Sequence, residues 1–170
     1  LHHQWADDQG ALVVIITGIP YLYRRLGYCY AIEYSPDYRV VDLPDAGEGW
    51  TVEPARPADK AGLTELERAA KDRQDLALEW PDRGWDWVLA GATTWEEEIL
   101  VARPDGETDG FADGQRRLEE DHAQVGGTAR SEGAARALIA EAATRVGDLK
   151  LYLVARAGDP WATVVERVAG

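Results

Sequence analysis

Two stretches of the sequence combine residue types and spacing that could do chemistry. The first is Arg130-Ser-Glu-Gly133-Ala-Ala135, at the start of a strongly predicted helix. Backbone N–H groups at a helix N-terminus bind anions such as phosphate, Arg130 adds positive charge, and Gly133 allows close backbone approach. The second centres on Tyr23 in Tyr23-Arg-Arg-Leu-Gly27-Tyr28, whose phenol O–H can act as a proton donor. The sequence therefore offers a candidate anion cradle and a candidate general acid.

Both stretches also have an ordinary structural explanation. Ser131 is well placed as a helix N-cap, and Glu132 in the first helical turn interacts favourably with the helix dipole. Glu132 also places negative charge beside any phosphate bound there. Tyr23 suits the packing of a short helix onto a sheet. The residues alone leave binding and packing open at both places.

Apolar periodicity and turn residues predict the elements that would position these side chains. The apolar run of residues 11–17 predicts a strand covered on both faces, with Leu12, Val14 and Ile16 buried, before Pro20 starts a helix. No clear strand is found between residues 107 and 125. The other predicted elements are a helix ending at Gly10, a short helix over residues 21–26, strands over residues 28–34, 50–54, 99–102 and 149–155, and helices over residues 59–71, 85–90, 131–146 and 161–168. Asp59 and Asp159 are the predicted N-caps of two of these helices, with Pro160 at the first helical position after Asp159.

Two of these segments resemble a known family. Tyr23-Arg-Arg-Leu-Gly27-Tyr28 is similar to the Tyr-x-x-x-Gly-aromatic helix of the GCN5-related N-acetyltransferases, which lies beside the pantetheine arm of acetyl-CoA. Arg130-Ser-Glu-Gly133-Ala-Ala135 matches the spacing of that family's Gln/Arg-x-x-Gly-x-Gly/Ala turn, which cradles the pyrophosphate. The resemblance implies an α/β fold with a mixed, mostly antiparallel sheet flanked by helices.

The same resemblance implies roles for individual residues. Tyr23 would be the catalytic acid that protonates the coenzyme A thiolate, and Arg130, Gly133 and Ala135 would bind the cofactor. The cofactor would be acetyl-CoA, held between two neighbouring strands that splay apart. The acceptor would be a small-molecule primary amine, and no metal ion is implied.

A weak internal repeat indicates two such domains in tandem. The order of buried strand, Pro-started helix and glycine in residues 11–27 recurs in residues 149–170. We therefore expect both segments to adopt the same local shape, with Leu151 and Leu153 buried in the second strand.

The repeat divides the chain into a predicted domain plan. Residues 1–37 would be the C-terminal part of a first domain, residues 38–49 a linker that could hold a short strand, and residues 50–170 a second domain. Glu166 stands in the second copy where Tyr23 stands in the first, and an ionised carboxylate cannot donate the proton. We therefore expect a degenerate second domain in an incomplete, Met-free chain that is inactive alone. The alternatives are a non-catalytic acetyltransferase-like module that binds a ligand or partner, and an unrelated α+β domain.

The composition and net charge of the chain disfavour some classes of binding partner. A formal net charge of −13 and a pI near 4.6 disfavour non-specific binding to nucleic acid or anionic membrane, because like charges repel. An acidic surface attracts a cationic amine, and it serves solubility equally well. No apolar stretch approaches the roughly 20 residues of a membrane helix. We expect a cytoplasmic protein, and assembly into a homo-oligomer stays open.

Other reactive or aromatic residues have simpler explanations. The single cysteine, Cys29, cannot form an internal disulfide and is expected to be buried in a strand. His122 lies in an acidic stretch that favours a solvated surface over a metal site. Trp80, Trp85 and Trp87 could line a cleft, and core packing of helices explains them equally well.

Overall fold

The computed structural model describes residues 2–16, 21–30, 37–74, 77, 82–91, 97–117, 121–155 and 158–170. The chain divides into two compact units, Leu1–Tyr34 and Ser35–Gly170. Within the described ranges, no helix is both long enough and apolar enough to cross a membrane.

The described residues of the first unit form one helix and one short turn of helix. α1, His2–Asp8, is followed by Gly10, which adopts φ +70° where the sequence predicts the helix to end. A 3-10 turn at Tyr23–Leu26 ends at Gly27 with φ +90°, a left-handed conformation that glycine adopts without steric penalty. The predicted short helix is therefore present as a single turn.

The strand predicted after α1 is wrong. Residues 11–16 lie outside any strand, and Leu12, Val14 and Ile16 are exposed rather than buried, with Leu12 98% exposed. A strand needs the backbone of a neighbouring strand to satisfy its N–H and C=O groups. The described part of this unit contains no strand that could pair with the apolar run. The predicted strand over residues 28–34 is not seen at residues 28–30, and its remainder lies outside the described residues.

The second unit is built around a six-stranded sheet. Its elements are β1 Asp37–Arg39, β2 Thr51–Pro54, a 3-10 turn Pro57–Asp59, α2 Lys60–Lys71, α3 Asp82–Leu89, β3 Glu97–Arg103, β4 Gly110–Arg117, β5 His122–Ala129, α4 Glu132–Val146, β6 Lys150–Val154 and α5 Pro160–Val168. The strand order is β1-β6-β5-β4-β3-β2. All neighbours are antiparallel except β5 and β6, which are parallel and flank α4 in sequence. The predicted mixed, mostly antiparallel sheet flanked by helices is confirmed.

Helices cover both faces of this sheet. Ala102 of β3 packs in one buried cluster with Leu138 of α4, whereas the adjacent Val101 packs with Leu63 of α2 and Trp85 of α3. Side chains alternate along a strand, so consecutive residues of β3 must face opposite layers. The layer formed by α2 and α3 also contains a hydrogen bond between its two helices, which Lys60 of α2 donates to Asp86 of α3. That bond raises the pKa of the lysine above its ordinary value.

Elements with strong local signals lie where the sequence predicts them. α4 follows its N-cap Ser131, and α5 follows Asp159 as N-cap. β6 buries Leu151 and Leu153, as expected. Because Lys150–Val154 is a strand and residues 11–16 are not, the common local shape expected of the two copies is not seen.

β1 is the short strand that the predicted linker could hold. Asp37–Arg39 pairs antiparallel with β6 at the edge of the sheet. Val40 forms a bridge with Ala169, and the Gly170 N–H donates to the Arg39 carbonyl at 3.3 Å. The division into residues 1–37, 38–49 and 50–170 stays a prediction.

Candidate functional site

Hydrogen bonds within the turn from β5 into α4, and from this turn to Asp109, cap the start of the helix. The Ser131 hydroxyl accepts from the Ala134 N–H at 3.2 Å and donates to Asp109 Oδ2 at 2.5 Å. The Arg130 N–H donates to the Asp109 carbonyl at 2.8 Å. The capped helix start, which the sequence also allowed, is therefore the arrangement seen.

The three residues predicted to bind the cofactor lie on this turn, and each is engaged elsewhere. The Arg130 guanidinium forms an ion pair with Glu65 of α2, with 2.9 Å between Nη2 and Oε1. A Cβ atom added at Gly133 would lie 2.6 Å from Trp50 Cζ2 and 3.0 Å from its Nε1. Ala135 is fully buried in the core. The space that Gly133 leaves open is thus filled by an indole ring.

Acidic groups surround the start of α4. Glu132 accepts two hydrogen bonds from Arg167 of α5, at 2.5 and 3.2 Å, and Asp109 lies beside Ser131. An anion site at a helix start needs accessible N–H groups, and nearby negative charge opposes it. The residues present here therefore do not fit the pyrophosphate of coenzyme A.

β5 continues past the end of its parallel partner β6. The pairing ends at Gly126 opposite Val154, whereas β5 continues to Ala129. In the family that the sequence resembles, the cofactor lies between two strands that splay at such a place. Here Asp159 and Trp161, at the start of α5, contact this end of β5.

Asp159 links the end of β5 to the start of α5. It is 6% exposed and accepts hydrogen bonds from the Thr128 hydroxyl, from the Ala129 N–H at 3.2 Å and from the Trp161 N–H at 2.7 Å. Trp161 is fully buried, and its indole N–H donates to the Val154 carbonyl at 2.8 Å. Sequence reasoning found the capping role of Asp159, but not its bonds to β5.

Tyr23 belongs to the first unit and is half-buried. Its ring packs edge-to-face on Tyr28, with centroids 6.0 Å apart and planes at 72°. Both rings line an apolar groove of about 940 Å³, together with Trp5, Leu26 and residues 13–16. The groove offers apolar surroundings for the Tyr23 phenol.

Of the tryptophans singled out in the sequence, Trp85 and Trp87 lie in different surroundings. Trp85 is buried, meets Phe111 edge-on at 5.6 Å and 88°, and donates from Nε1 to Glu67 at 3.2 Å. Trp87 is 49% exposed on α3, and Trp80 lies outside the described residues. Core packing therefore explains Trp85.

The remaining candidate groups point to no metal site. His122 packs edge-on against Tyr152, with centroids 5.3 Å apart. Cys29 is exposed, so its predicted burial is wrong. Among the residues that the structure describes, no group of three or more His, Cys, Asp or Glu side chains could hold a metal ion.

Trp50 is the residue at this site that sequence reasoning missed. The sequence places it only at the start of a predicted strand, whereas the fold places its ring over Gly133. A tryptophan at a strand start does not specify which residue it will contact.

Comparison with known proteins adds solved structures of the same fold. No family model and no curated protein matches the chain. A GCN5-related N-acetyltransferase from Kribbella flavida matches with a TM-score of 0.63 and 22% identity, over 98% of this chain and 41% of its own. A GNAT-family acetyltransferase from Streptococcus pneumoniae matches with a TM-score of 0.51 and 18% identity, over 69% of this chain and 81% of its own.

A third solved structure is an aminoglycoside acetyltransferase from an uncultured soil metagenomic sample, in complex with sisomicin. It matches with a TM-score of 0.50 and 12% identity, over 72% of this chain and 88% of its own. At such identities the likeness concerns the fold. The chain spans only 41% of the Kribbella flavida protein.

Proposed function

Because the chain has the fold of the GCN5-related N-acetyltransferases, we propose that it is part of an N-acetyltransferase that moves an acetyl group from acetyl-CoA to a primary amine. The observation that carries this proposal is the sheet of the second unit. One parallel strand pair, β5 and β6 around α4, lies inside an otherwise antiparallel sheet. The cytoplasm is the proposed location, and the acidic chain would attract a cationic amine substrate.

Within this proposal, Ser35–Gly170 is a non-catalytic module. The start of α4 is covered by Trp50 and capped by Ser131, and the nearby Arg130 and Arg167 are paired with carboxylates instead of being free for a pyrophosphate. Glu166, at the position expected for a catalytic tyrosine, is exposed on α5. These features support a structural or partner-binding role for this unit.

The first unit would be the C-terminal part of a preceding acetyltransferase domain. Its run of exposed apolar residues, Leu12 to Ile16, has the composition of a strand that is covered on both faces. Soluble proteins rarely leave such contiguous apolar surface uncovered. A covering sheet elsewhere in a longer protein would explain the pattern.

Tyr23 is the proposed general acid of that domain. Acetyl-CoA, when bound, supplies the acetyl group as a thioester whose sulfur leaves as a thiolate. The Tyr23 hydroxyl would hold a proton for that sulfur.

Residues 1–170 alone are expected to show no acetyl transfer. The second unit lacks a fitting cofactor turn, and the first unit contains only the proposed acid. The measurement is release of coenzyme A thiol from acetyl-CoA with a panel of polyamines and aminoglycosides, compared with the same mixture without protein. Steady release that scales with protein concentration would contradict the proposal that the chain is inactive alone.

In a longer active protein that contains these residues, Tyr23→Phe is expected to lower kcat by about 10²–10⁴-fold with little change in KM. Phenylalanine keeps the ring and removes only the hydroxyl group that would donate the proton. Tyr30→Phe is the matched control, because Tyr30 is 71% exposed in the same unit. If both variants keep the wild-type kcat, Tyr23 is a packing residue and the proposed acid is wrong.

A further inference from the structure

The end of β5 requires hydrogen-bond partners that β6 does not supply. The last paired residues are Gly126 and Val154, and β5 continues to Ala129. Buried backbone groups in such a position must bond to another part of the protein, to water or to a ligand. If these groups bond to a ligand or to water, the end of β5 lines an open cleft. If they bond to another part of the chain, the cleft is filled.

At this place the partner is the chain itself. Asp159 Oδ1 accepts from the N–H groups of Ala129 and Trp161, and Oδ2 accepts from the Thr128 hydroxyl. Both carboxylate oxygens are therefore engaged. Within the described ranges, every buried side-chain nitrogen or oxygen has a hydrogen-bond partner.

The indole of Trp161 fills the adjacent space. A Cβ atom added at Gly127 would lie 2.9 Å from two ring carbons of Trp161 and 2.8 Å from the Phe111 carbonyl. Such a close approach is possible only because residue 127 is a glycine. The ring therefore lies directly against the backbone of β5, and its N–H is bonded to the Val154 carbonyl.

We infer that the side chains of Asp159 and Trp161 permanently fill the opening between β5 and β6. Together with Trp50 over Gly133, they exclude coenzyme A from the second unit, and this unit keeps its shape without a ligand. The inference rests on the proposed function only in taking coenzyme A as the ligand of the fold. It goes further, because a non-catalytic module could still bind the cofactor.

The experiment is amide exchange measured by NMR on residues 1–170, with and without millimolar coenzyme A. The Ala129 amide is expected to exchange slowly without any ligand, because it donates to a buried carboxylate. Coenzyme A is expected to leave the exchange rates and chemical shifts of residues 127–135 unchanged. Ligand-dependent protection or shifts in these residues of the wild-type chain would overturn the inference.

Asp159→Ala tests the carboxylate as the internal partner. We expect the Ala129 amide to exchange at least about tenfold faster, since its acceptor is lost. Asp148→Ala is the matched control, because Asp148 is exposed in the turn after α4. Equal exchange in both variants would contradict the assignment. If Asp159→Ala does not fold, the wild-type chain still supplies a test, because fast exchange of its Ala129 amide would contradict the bond to the Asp159 carboxylate.

Failure of this inference can be told apart from failure of the proposed function. Coenzyme A binding at residues 127–135 would overturn the inference that Asp159 and Trp161 fill the opening, and it would leave the proposed acetyltransferase function unaffected. If Tyr23 is not the general acid, the expected slow exchange of the Ala129 amide still holds, because Tyr23 belongs to the other unit.

Discussion

Trp161→Ala is expected to destabilise the second unit by about 3–5 kcal/mol, the range for removal of a fully buried large aromatic side chain. The ring is fully buried between α5 and the sheet, and it lies against Gly127 of β5. Its N–H is bonded to the Val154 carbonyl at 2.8 Å, so alanine also leaves a buried acceptor without its donor. Since whole domains are stable by only about 5–15 kcal/mol, a large fraction of the folding free energy would be lost. The measurement is urea unfolding followed by far-UV circular dichroism.

Trp87→Ala is the matched control for the same change of side chain. Trp87 lies on α3 and is 49% exposed, so its removal should change the free energy of unfolding by about 0.5 kcal/mol or less. Similar losses in the two variants would show that Trp161 is not a principal packing residue. They would also weaken the case for a filled opening between β5 and β6.

Local sequence signals predicted the C-terminal half of the sheet unit well. Ser131 and the Asp159–Pro160 pair mark helix starts by capping chemistry, which depends only on neighbouring residues. β4 and β5 were missed because their sequences are polar and rich in glycine. They are strands because each is paired on both sides, and such pairing overrides weak intrinsic propensity.

The opposite error occurred in the first unit. The run from Leu12 to Ile16 has the composition of a buried strand, yet it is exposed and unpaired. Composition describes what a segment would bury, whereas a strand also needs a neighbouring backbone. The same reasoning explains why the common local shape expected of residues 11–27 and 149–170 is not seen, since the repeat was read from composition. The tandem domain plan itself stays a prediction.

At the candidate site, spacing predicted the position of the turn but not its surroundings. Arg130, Gly133 and Ala135 do lie at the start of a helix that follows a strand. Trp50 and Asp159, which decide whether a ligand fits, come from distant parts of the sequence. A short motif does not specify which distant side chains will pack against it. The motif therefore resembled a cofactor-binding turn, although in the fold Trp50 covers its glycine.

Arg103→Ala is expected to destabilise the second unit by about 1–3 kcal/mol, between the ranges for exposed and for buried ion pairs, because its ion pairs are part-buried. Arg103 of β3 is 12% exposed and bonds to Glu53 of β2 at 2.8 Å and to Asp59, which is 14% exposed. Sequence reasoning made Asp59 the N-cap of α2, but its carboxylate makes no such cap; it accepts from Arg103 and the Arg56 N–H. Without Arg103, two neighbouring carboxylates would lose their main counter-charge.

Arg56→Ala is the matched control, because it removes a guanidinium from the same acceptor, Glu53. Arg56 contacts Glu53 at 3.2 Å, but its side chain is 70% exposed, and exposed ion pairs contribute about 0–1 kcal/mol. Urea unfolding of both variants at low and high salt is the measurement. The loss from Arg103→Ala should persist at high salt, since buried pairs are screened little. Equal losses in the two variants, or a loss from Arg103→Ala that salt abolishes, would show that these contacts act as surface ion pairs and that β2 and β3 are held by their backbone ladder.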